Sequence, residues 1–198
     1  MKKILILFSH PRFEKSRANR ALIEDIDKVE GVNCHDLYEE YPDFNINVER
    51  EKELLGNHQI IVWHFPFYTY SAPALLKQWM DVVLEYGWAH GSKGNALKDK
   101  IAFVALTAGG TRESYAANQH NQFTLREFLR PFEQAANLCK MIYLPPFAVH
   151  GTHMLTDQQL AAYADSYRWL LRKLTTGEYD TASISRFEYL NDWLSNKG

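Results

Sequence analysis

The sequence predicts an α/β domain of three layers, in which a parallel sheet of five strands lies between helices. Five short apolar runs alternate with five amphipathic segments, which is the pattern of a parallel sheet covered on both faces. The runs are continuously apolar, as strands buried on both faces are. At 198 residues, the chain has the length of one domain with a full core.

The first of the five predicted strands is the clearest. Lys2 and Lys3 precede an unbroken apolar run, and Ser9, His10 and Pro11 follow it. This arrangement predicts a buried strand that ends in a polar turn. The five runs are Ile4–Phe8, Val32–Leu37, Gln59–His64, Ile101–Leu106 and Met141–Leu144.

Among the predicted helices, the one that begins at Pro73 is the best defined. Proline suits the first turn of a helix, apolar residues then recur at helical spacing, and Gly87 can end the helix. The five amphipathic segments are Arg17–Lys28, Val48–Gly56, Pro73–Glu85, Phe123–Asn137 and Asp157–Leu174.

A C-terminal extension, residues 176–198, follows the predicted domain of residues 1–175. The sequence from Ser185 to Glu188 fits a capping box and therefore predicts a short helix. The apolar stripe of this helix must be buried against another surface, which is either the chain's own domain or a second subunit. The stripe consists of Phe187, Leu190, Trp193 and Leu194.

The composition favours a soluble, cytoplasmic protein with no nucleic-acid partner. The formal net charge of −2 gives no electrostatic reason to expect nucleic acid or an acidic membrane surface. Two cysteines far apart in sequence indicate neither a disulfide framework nor a zinc site. No signal peptide or run of transmembrane length is visible. The aromatic content of 14% suggests a pocket for a flat ligand or a subunit interface.

Three loops carry the residues of the predicted site. In a sheet of order 2-1-3-4-5, the loops after strands one, three and four meet at the carboxyl edge. Loop one, residues 10–19, is polar and basic and leads into a helix, where backbone N–H groups and the helix dipole favour a phosphate. Loop three, residues 65–73, is a run of aromatic residues between prolines. Loop four, residues 107–115, contains the pair Gly109-Gly110, which exposes backbone N–H groups.

Taken together, the three loops predict a site for flavin mononucleotide (FMN). The phosphate, the flat ring and the pyrimidine edge of FMN would each have a partner. Each signal alone has a plainer explanation. The stretch Ser16–Asn19 could be an ordinary helix cap, and the glycine pair could form a tight turn between strand and helix.

A set of short motifs extends over residues 1–175 and excludes the extension. They are Ser9-His10-Pro11, Ser16-x-x-Asn19, Asp36-Leu37-Tyr38, Tyr41-Pro42-Asp43-Phe44-Asn45, Pro66 through Tyr70, Pro73-x-Leu75-Leu76-Lys77-x-Trp79, Gly87-Trp88-Ala89, Thr107-x-Gly109-Gly110 and Leu144-Pro145-Pro146-Phe147. As a set, they resemble the flavodoxin-like NAD(P)H:quinone oxidoreductases. The resemblance is strongest to the short bacterial branch, which includes the ancillary flavoproteins of glutathione-gated potassium efflux systems and the general-stress quinone reductases.

This resemblance implies a flavodoxin-like fold and an enzyme that uses FMN, with FAD as the alternative flavin. Hydride would pass from NAD(P)H through flavin N5 to a quinone in a ping-pong reaction, and a homodimer would complete each pocket. Two alternatives stay open. One is a regulatory subunit that docks on a membrane-bound potassium efflux transporter, and the other is an azo- or nitro-reductase on the same scaffold.

The resemblance also implies roles for individual residues. The phosphate and ribityl chain would be held by His10, Ser16, Arg17, Ala18 and Asn19. The isoalloxazine would lie along Phe67, Tyr68, Thr69 and Tyr70. Its N1–O2 edge would meet Thr107, Ala108, Gly109 and Gly110. The expected catalytic residues beyond the glycine pair, which would stabilise negative charge at that edge, are Tyr115 and His120.

Trp88 and His90 are implied to wall the substrate pocket of the neighbouring subunit. The chain departs from its relatives at His90, where they often have tyrosine, and at Thr69, where many have tryptophan. His90 either alters quinone preference or lies at the surface. Thr69 either widens the space beside the flavin or leaves that space to another aromatic residue. His120 could instead be a surface histidine at a helix cap. The pair His150 and His153 lacks a third ligand at a recognisable spacing, so no metal is expected.

Overall fold

The computed structural model describes residues 1–196 and confirms the flavodoxin-like α/β fold with its parallel sheet. The strand order is β2-β1-β3-β4-β5, as predicted, and β6 also pairs with β4. Every strand pair is parallel. The strands are β1 (Ile4–Phe8), β2 (Val32–Asp36), β3 (Ile60–Pro66), β4 (Ile101–Thr107), β5 (Ile142–Tyr143) and β6 (Phe147–Val149).

The fifth predicted strand is longer than expected and is divided into β5 and β6. Pro145 and Pro146 lie between the two pieces and have no backbone N–H to donate to the ladder. After this interruption, β6 pairs with Ala105–Thr107, beside the end of β4. The prediction that the strand ends at Leu144 is therefore wrong. The correction matters because β6 reaches the sheet edge at which loop four begins.

The helices follow the predicted segments, with two divisions. The segment from Arg17 to Lys28 is interrupted near Asp25, whose φ of 61° lies in the left-handed region. The segment from Phe123 is divided at Leu129, after which Pro131 occupies the first turn of the next helix. The helices are α1 (Arg17–Ile23), α2 (Leu37–Glu40), α3 (Val48–Gly56), α4 (Ala74–Val83), α5 (Leu125–Phe128), α6 (Arg130–Leu138), α7 (Asp157–Thr176), α8 (Thr181–Ile184) and α9 (Leu190–Ser195). Within residues 1–196, no helix is long and apolar enough to cross a membrane.

Alternate residues of β1 fill the two cores on either side of the sheet. Leu5 and Leu7 belong to the core that contains Trp79 of α4. Ile6 belongs to the opposite core, together with Leu171 of α7. Because successive side chains of a strand point to opposite faces, a continuously apolar run is needed to bury both.

The C-terminal extension packs on its own domain. The predicted capping box from Ser185 to Glu188 is wrong, because the helix begins at Leu190 and the carboxylate of Asp192 accepts the Tyr189 N–H at 3.3 Å. Glu188 pairs with an arginine of loop four instead. The apolar stripe is covered by the core on the α7 side, and its members there are Phe187, Leu190, Trp193 and Leu194.

Candidate functional site

Loops one and four are joined by the buried side chain of Asn19. Its amide nitrogen donates to the hydroxyl of Thr107 at 2.9 Å and to that of Ser16 at 3.0 Å. Ser16 is the N-cap of α1, and its hydroxyl also accepts the backbone N–H of Asn19 at 3.2 Å. The start of α1 therefore has a defined position relative to the end of β4.

The neutral side chain of His64 also forms a hydrogen bond with Asn19. The amide oxygen of Asn19 accepts a hydrogen bond from Nε2 of His64 at 3.2 Å, and the hydroxyl of Tyr167 lies 3.3 Å from Nδ1. Since an amide oxygen only accepts, the proton of His64 lies on Nε2, and the tyrosine donates to Nδ1. Complete burial, with a smaller contribution from nearby His10, lowers the pKa of His64 to about 3. The network is therefore uncharged at neutral pH.

One end of the site is a cavity of about 570 Å³ with a basic rim. Arg12, Lys15 and Arg17 lie along it, and Arg17 also pairs with the exposed Asp157 at 2.6 Å. The buried His10 accepts the backbone N–H of Arg12 on Nδ1 at 3.1 Å. Burial lowers the pKa of His10, so the neutral ring carries its proton on Nε2. This basic end can donate hydrogen bonds to an anion.

The other end is an aromatic cavity of about 470 Å³. The two cavities share Phe67 and Tyr68 and are therefore adjoining parts of one site. Tyr70 stacks on Phe128 with ring centroids 5.0 Å apart, and its hydroxyl donates to Asn121 at 3.3 Å. Tyr68 and Tyr70 are 45% and 48% exposed, so the aromatic surface is open on one side. A flat molecule can reach it from solvent.

The glycine pair lies where a side chain would crowd its neighbours. A Cβ at Gly109 would stand 3.0 Å from Nε2 of His153. A Cβ at Gly110 would stand 2.7 Å from the Ser114 hydroxyl and 3.0 Å from the Tyr115 ring. Glycine therefore keeps the backbone of loop four accessible at the junction of the two cavities.

Most residues predicted for the site line one of the two cavities. Ala108 does not, because it is buried and its N–H donates to the Val149 carbonyl at 2.8 Å. The predicted residues around the basic end are His10, Ser16, Arg17, Ala18, Asn19, Thr107 and Gly109, with Phe67 and Tyr68 shared. Those around the aromatic end are Thr69, Tyr70, Gly110, Tyr115 and His120.

Trp88 and His90 line neither cavity. His90 borders a separate cavity of about 460 Å³ that also contains Met80 and Phe132, and Trp88 lies beneath the ammonium group of Lys52, 5.7 Å from the ring centroid. Within one chain, these two residues are apart from the site.

The loop after β6 also belongs to the site and was not predicted from the sequence. Thr152 and His153 line the basic end, and the Thr152 N–H donates to the Ala108 carbonyl at 3.1 Å. Gly151 likewise donates to Gly110 at 2.8 Å. The available signal was the position of His150 and His153 directly after the fifth strand, at the same sheet edge. Residues 1–196 contain no cluster of three His, Cys, Asp or Glu side chains that could hold a metal ion.

Comparison with known families and proteins gives consistent matches along the chain. A family model described as flavodoxin-like fold matches residues 2–171. The glutathione-regulated potassium-efflux system ancillary protein KefG of Yersinia enterocolitica is 42% identical over 176 residues, which are 88% of this chain and 96% of that protein.

Solved structures share the fold and differ in the activity that their names state. General stress protein 14 of Treponema denticola, solved with FMN, has a TM-score of 0.83 and 37% identity, with 87% of this chain and 99% of that chain covered. An NADPH-quinone reductase from P. pentosaceus has a TM-score of 0.77 and 34% identity, with 85% and 96% covered. A chain described as a thermophilic tryptophan halogenase from Streptomycin violaceusniger has a TM-score of 0.81 and 43% identity, with 83% and 95% covered. Fold alone does not select among these activities, so the residues of the site must do so.

Proposed function

Because this chain belongs to the flavodoxin-like fold family, we propose that it is an FMN-dependent NAD(P)H:quinone oxidoreductase. The observation that carries the proposal is the continuity of a basic end and an open aromatic end through Phe67 and Tyr68. FMN has the matching shape and charge, with an anionic phosphate at one end and a flat ring at the other. The FMN complex of the T. denticola relative and the name of the P. pentosaceus relative support this choice.

The basic end fits the phosphate. Arg17 and Ala18 occupy the first two positions of α1, whose N–H groups have no acceptor within the helix. Nε2 of His10 and the side chains of Arg12 and Lys15 would add charge-assisted or neutral hydrogen bonds. Such bonds to a charged group contribute about 1.5–3 kcal/mol each.

The aromatic end fits the ring. Tyr68 and Tyr70 offer aromatic faces beside the open side, and the backbone of Gly109 and Gly110 would meet the pyrimidine edge. Burial raises the pKa of Tyr115, so its hydroxyl stays protonated at neutral pH and can donate. His120 borders the same cavity and would be a second donor.

When bound, FMN would supply hydride transfer at N5 between a nicotinamide and a quinone. Tyr115 and His120 would stabilise negative charge at the N1–O2 edge, where a correctly placed donor is worth about 10²-fold or more in rate. The nucleotide and the acceptor would enter in turn through the open side beside Tyr68 and Tyr70. This shared entry favours ping-pong kinetics. We also propose a homodimer, in which Trp88 and His90 of one subunit approach the site of the other.

A regulatory role is the second candidate. The relative from Y. enterocolitica is named as an ancillary protein of a potassium-efflux system, so this chain would act by docking on such a transporter. A variant that cannot bind FMN distinguishes the regulatory role from the proposed oxidoreductase activity. Retained stimulation of potassium efflux by that variant would favour the regulatory role, and its loss together with flavin would favour a role for the loaded protein.

The first test is a spectrum after reconstitution with FMN and desalting, followed by anaerobic addition of NADPH and then NADH. We expect retained flavin absorbance that bleaches with one or both nucleotides. Re-oxidation by a quinone, an azo dye and a nitroaromatic compound then ranks the acceptors. Flavin that is retained but not bleached would favour the regulatory role, and a colourless protein would overturn the proposed FMN-dependent activity.

A further inference from the structure

Arg112 of loop four is held by two carboxylates of the C-terminal extension. Its two terminal nitrogens lie 2.7 and 2.8 Å from the two carboxylate oxygens of Asp192, and one of them lies 2.7 Å from Glu188. A bidentate arginine–carboxylate pair has strong directional preference, unlike a lysine contact. The extension therefore constrains both the position and the orientation of this guanidinium.

From Arg112, two routes lead to Tyr115. The backbone N–H of Tyr115 donates to the Arg112 carbonyl at 3.2 Å. The guanidinium also lies over the Tyr189 ring, 4.5 Å from its centroid. Tyr189 meets the ring of His150 at 5.3 Å, and His150 meets Tyr115 at 5.7 Å. The backbone hydrogen bond and this series of ring contacts both connect Arg112, and through it the extension, to the predicted catalytic residue Tyr115.

The extension is itself firmly attached to the domain. The side-chain amide of Asn191 accepts the Ala148 N–H at 2.9 Å and donates to the Ala148 carbonyl at 3.2 Å. The Leu190 N–H donates to the Pro146 carbonyl at 2.9 Å, and the Leu190 side chain is buried. The extension thus covers the free edge of β6. Because these bonds fix the position of α9, they also fix the position of Asp192 beside loop four.

We propose that Glu188 and Asp192 are positioning residues that hold Arg112 and thereby preorganise loop four for the cofactor. Both lie beyond residues 2–171, which the family model matches, whereas Arg112 lies within them. Loop four carries the glycine pair as well as Tyr115, and a loop that is ordered before binding loses less entropy when a ligand arrives. The effect on the cofactor rests on the proposed function, whereas the effect on the loop does not.

The test compares the wild type with the double variant E188Q/D192N and with R112K. The amide side chains keep the size of the carboxylates and remove their charge, and lysine keeps a charge but loses the bidentate geometry. D25N is the matched control, because Asp25 forms a surface pair with Lys28 and its left-handed backbone suits asparagine. Hydrogen exchange of the peptides that cover residues 109–116 is measured without flavin, and FMN affinity is measured by fluorescence titration.

We expect the double variant to exchange about tenfold faster over residues 109–116, with exchange over β1 and the melting temperature unchanged, and to bind FMN about tenfold more weakly. R112K should show a smaller change in both quantities, and D25N none. Unchanged exchange in loop four of the double variant would overturn the proposal, as would faster exchange with an unaltered FMN affinity. If the wild type itself binds no FMN, the proposed function fails, and the exchange data alone still judge whether the carboxylates hold the loop.

Discussion

The side-chain amide of Asn19 donates to the hydroxyl of Thr107 over 2.9 Å and so joins the first helix to the end of β4. Ser16 lies on one side of this contact and His64 on the other, and both bond to the same asparagine. A short polar network thus sets the distance between the loop that would bind a phosphate and the loop that would bind the ring edge.

Replacing Asn19 by alanine should lower the free energy of unfolding by about 2–4 kcal/mol, because the buried N–H of His64 and the hydroxyl of Thr107 lose their partner. Urea unfolding measures this change. S16A is the matched control, since it removes the helix cap and one acceptor of the Asn19 amide, leaves the Asn19 contacts to Thr107 and His64, and should cost about 1 kcal/mol. Equal losses in the two variants would contradict the central role of Asn19.

Gly109 should not tolerate a branched side chain if the glycine pair faces FMN. The Cβ of G109V would press on His153, and its methyl groups would enter the basic cavity. We expect FMN affinity to fall by more than about tenfold, which fluorescence titration measures. G56A is the control, because a Cβ at Gly56 meets nothing within 4 Å. Undiminished FMN binding by G109V would exclude loop four from the cofactor site.

Tyr115→Phe should separate binding from chemistry. The substitution keeps the ring that packs against Phe67 and removes only the hydroxyl, so FMN should still bind. Anaerobic reduction by NAD(P)H should slow by about 10²-fold, since one charge-stabilising donor is lost. Stopped-flow absorbance gives the rate, and Y86F, at an exposed tyrosine outside both cavities, is the control. Reduction at the wild-type rate would leave Tyr115 without this role.

The fold was predictable because its signal is local. The apolar run of β1 must be buried on both faces, and the regular alternation of such runs with amphipathic segments specifies a parallel sheet. The division of the fifth strand was harder to predict, since the two prolines end one ladder and the chain resumes pairing four residues after Tyr143, at Phe147.

The site was predictable where a loop carries its own unusual residues, as loops one, three and four do. His153 was missed because its importance comes from position, namely the loop after β6 at the same sheet edge. The ion pairs of Arg112 with Glu188 and Asp192 could not be predicted from the sequence either. Both partners follow about eighty residues later, and nothing in the local sequence of Glu188 indicates a contact with loop four.

A buried carboxylate away from the site should determine much of the acid stability. Glu51 is fully buried and accepts hydrogen bonds from His35 at 2.8 Å, Tyr41 at 2.6 Å and Trp79 at 2.7 Å. Burial acts to raise its pKa, but these hydrogen bonds and the charge of His35 outweigh burial and hold the pKa below its ordinary value. At neutral pH, E51Q should lower the free energy of unfolding by about 2–3 kcal/mol, because an amide cannot accept from all three donors.

The pH dependence of this difference follows from the direction of the shift. A carboxylate with a lowered pKa stabilises the folded state above the unfolded pKa of about 4.3, and the contribution disappears as the pH falls through the lower folded value. The gap between wild type and E51Q should therefore narrow as the pH falls below about 4.3. Urea unfolding at a series of pH values measures it, with E53Q, an exposed carboxylate on the same helix, as the control. A gap that persists unchanged at pH 3 would show that the hydrogen-bonding shape of the side chain matters, and its charge does not.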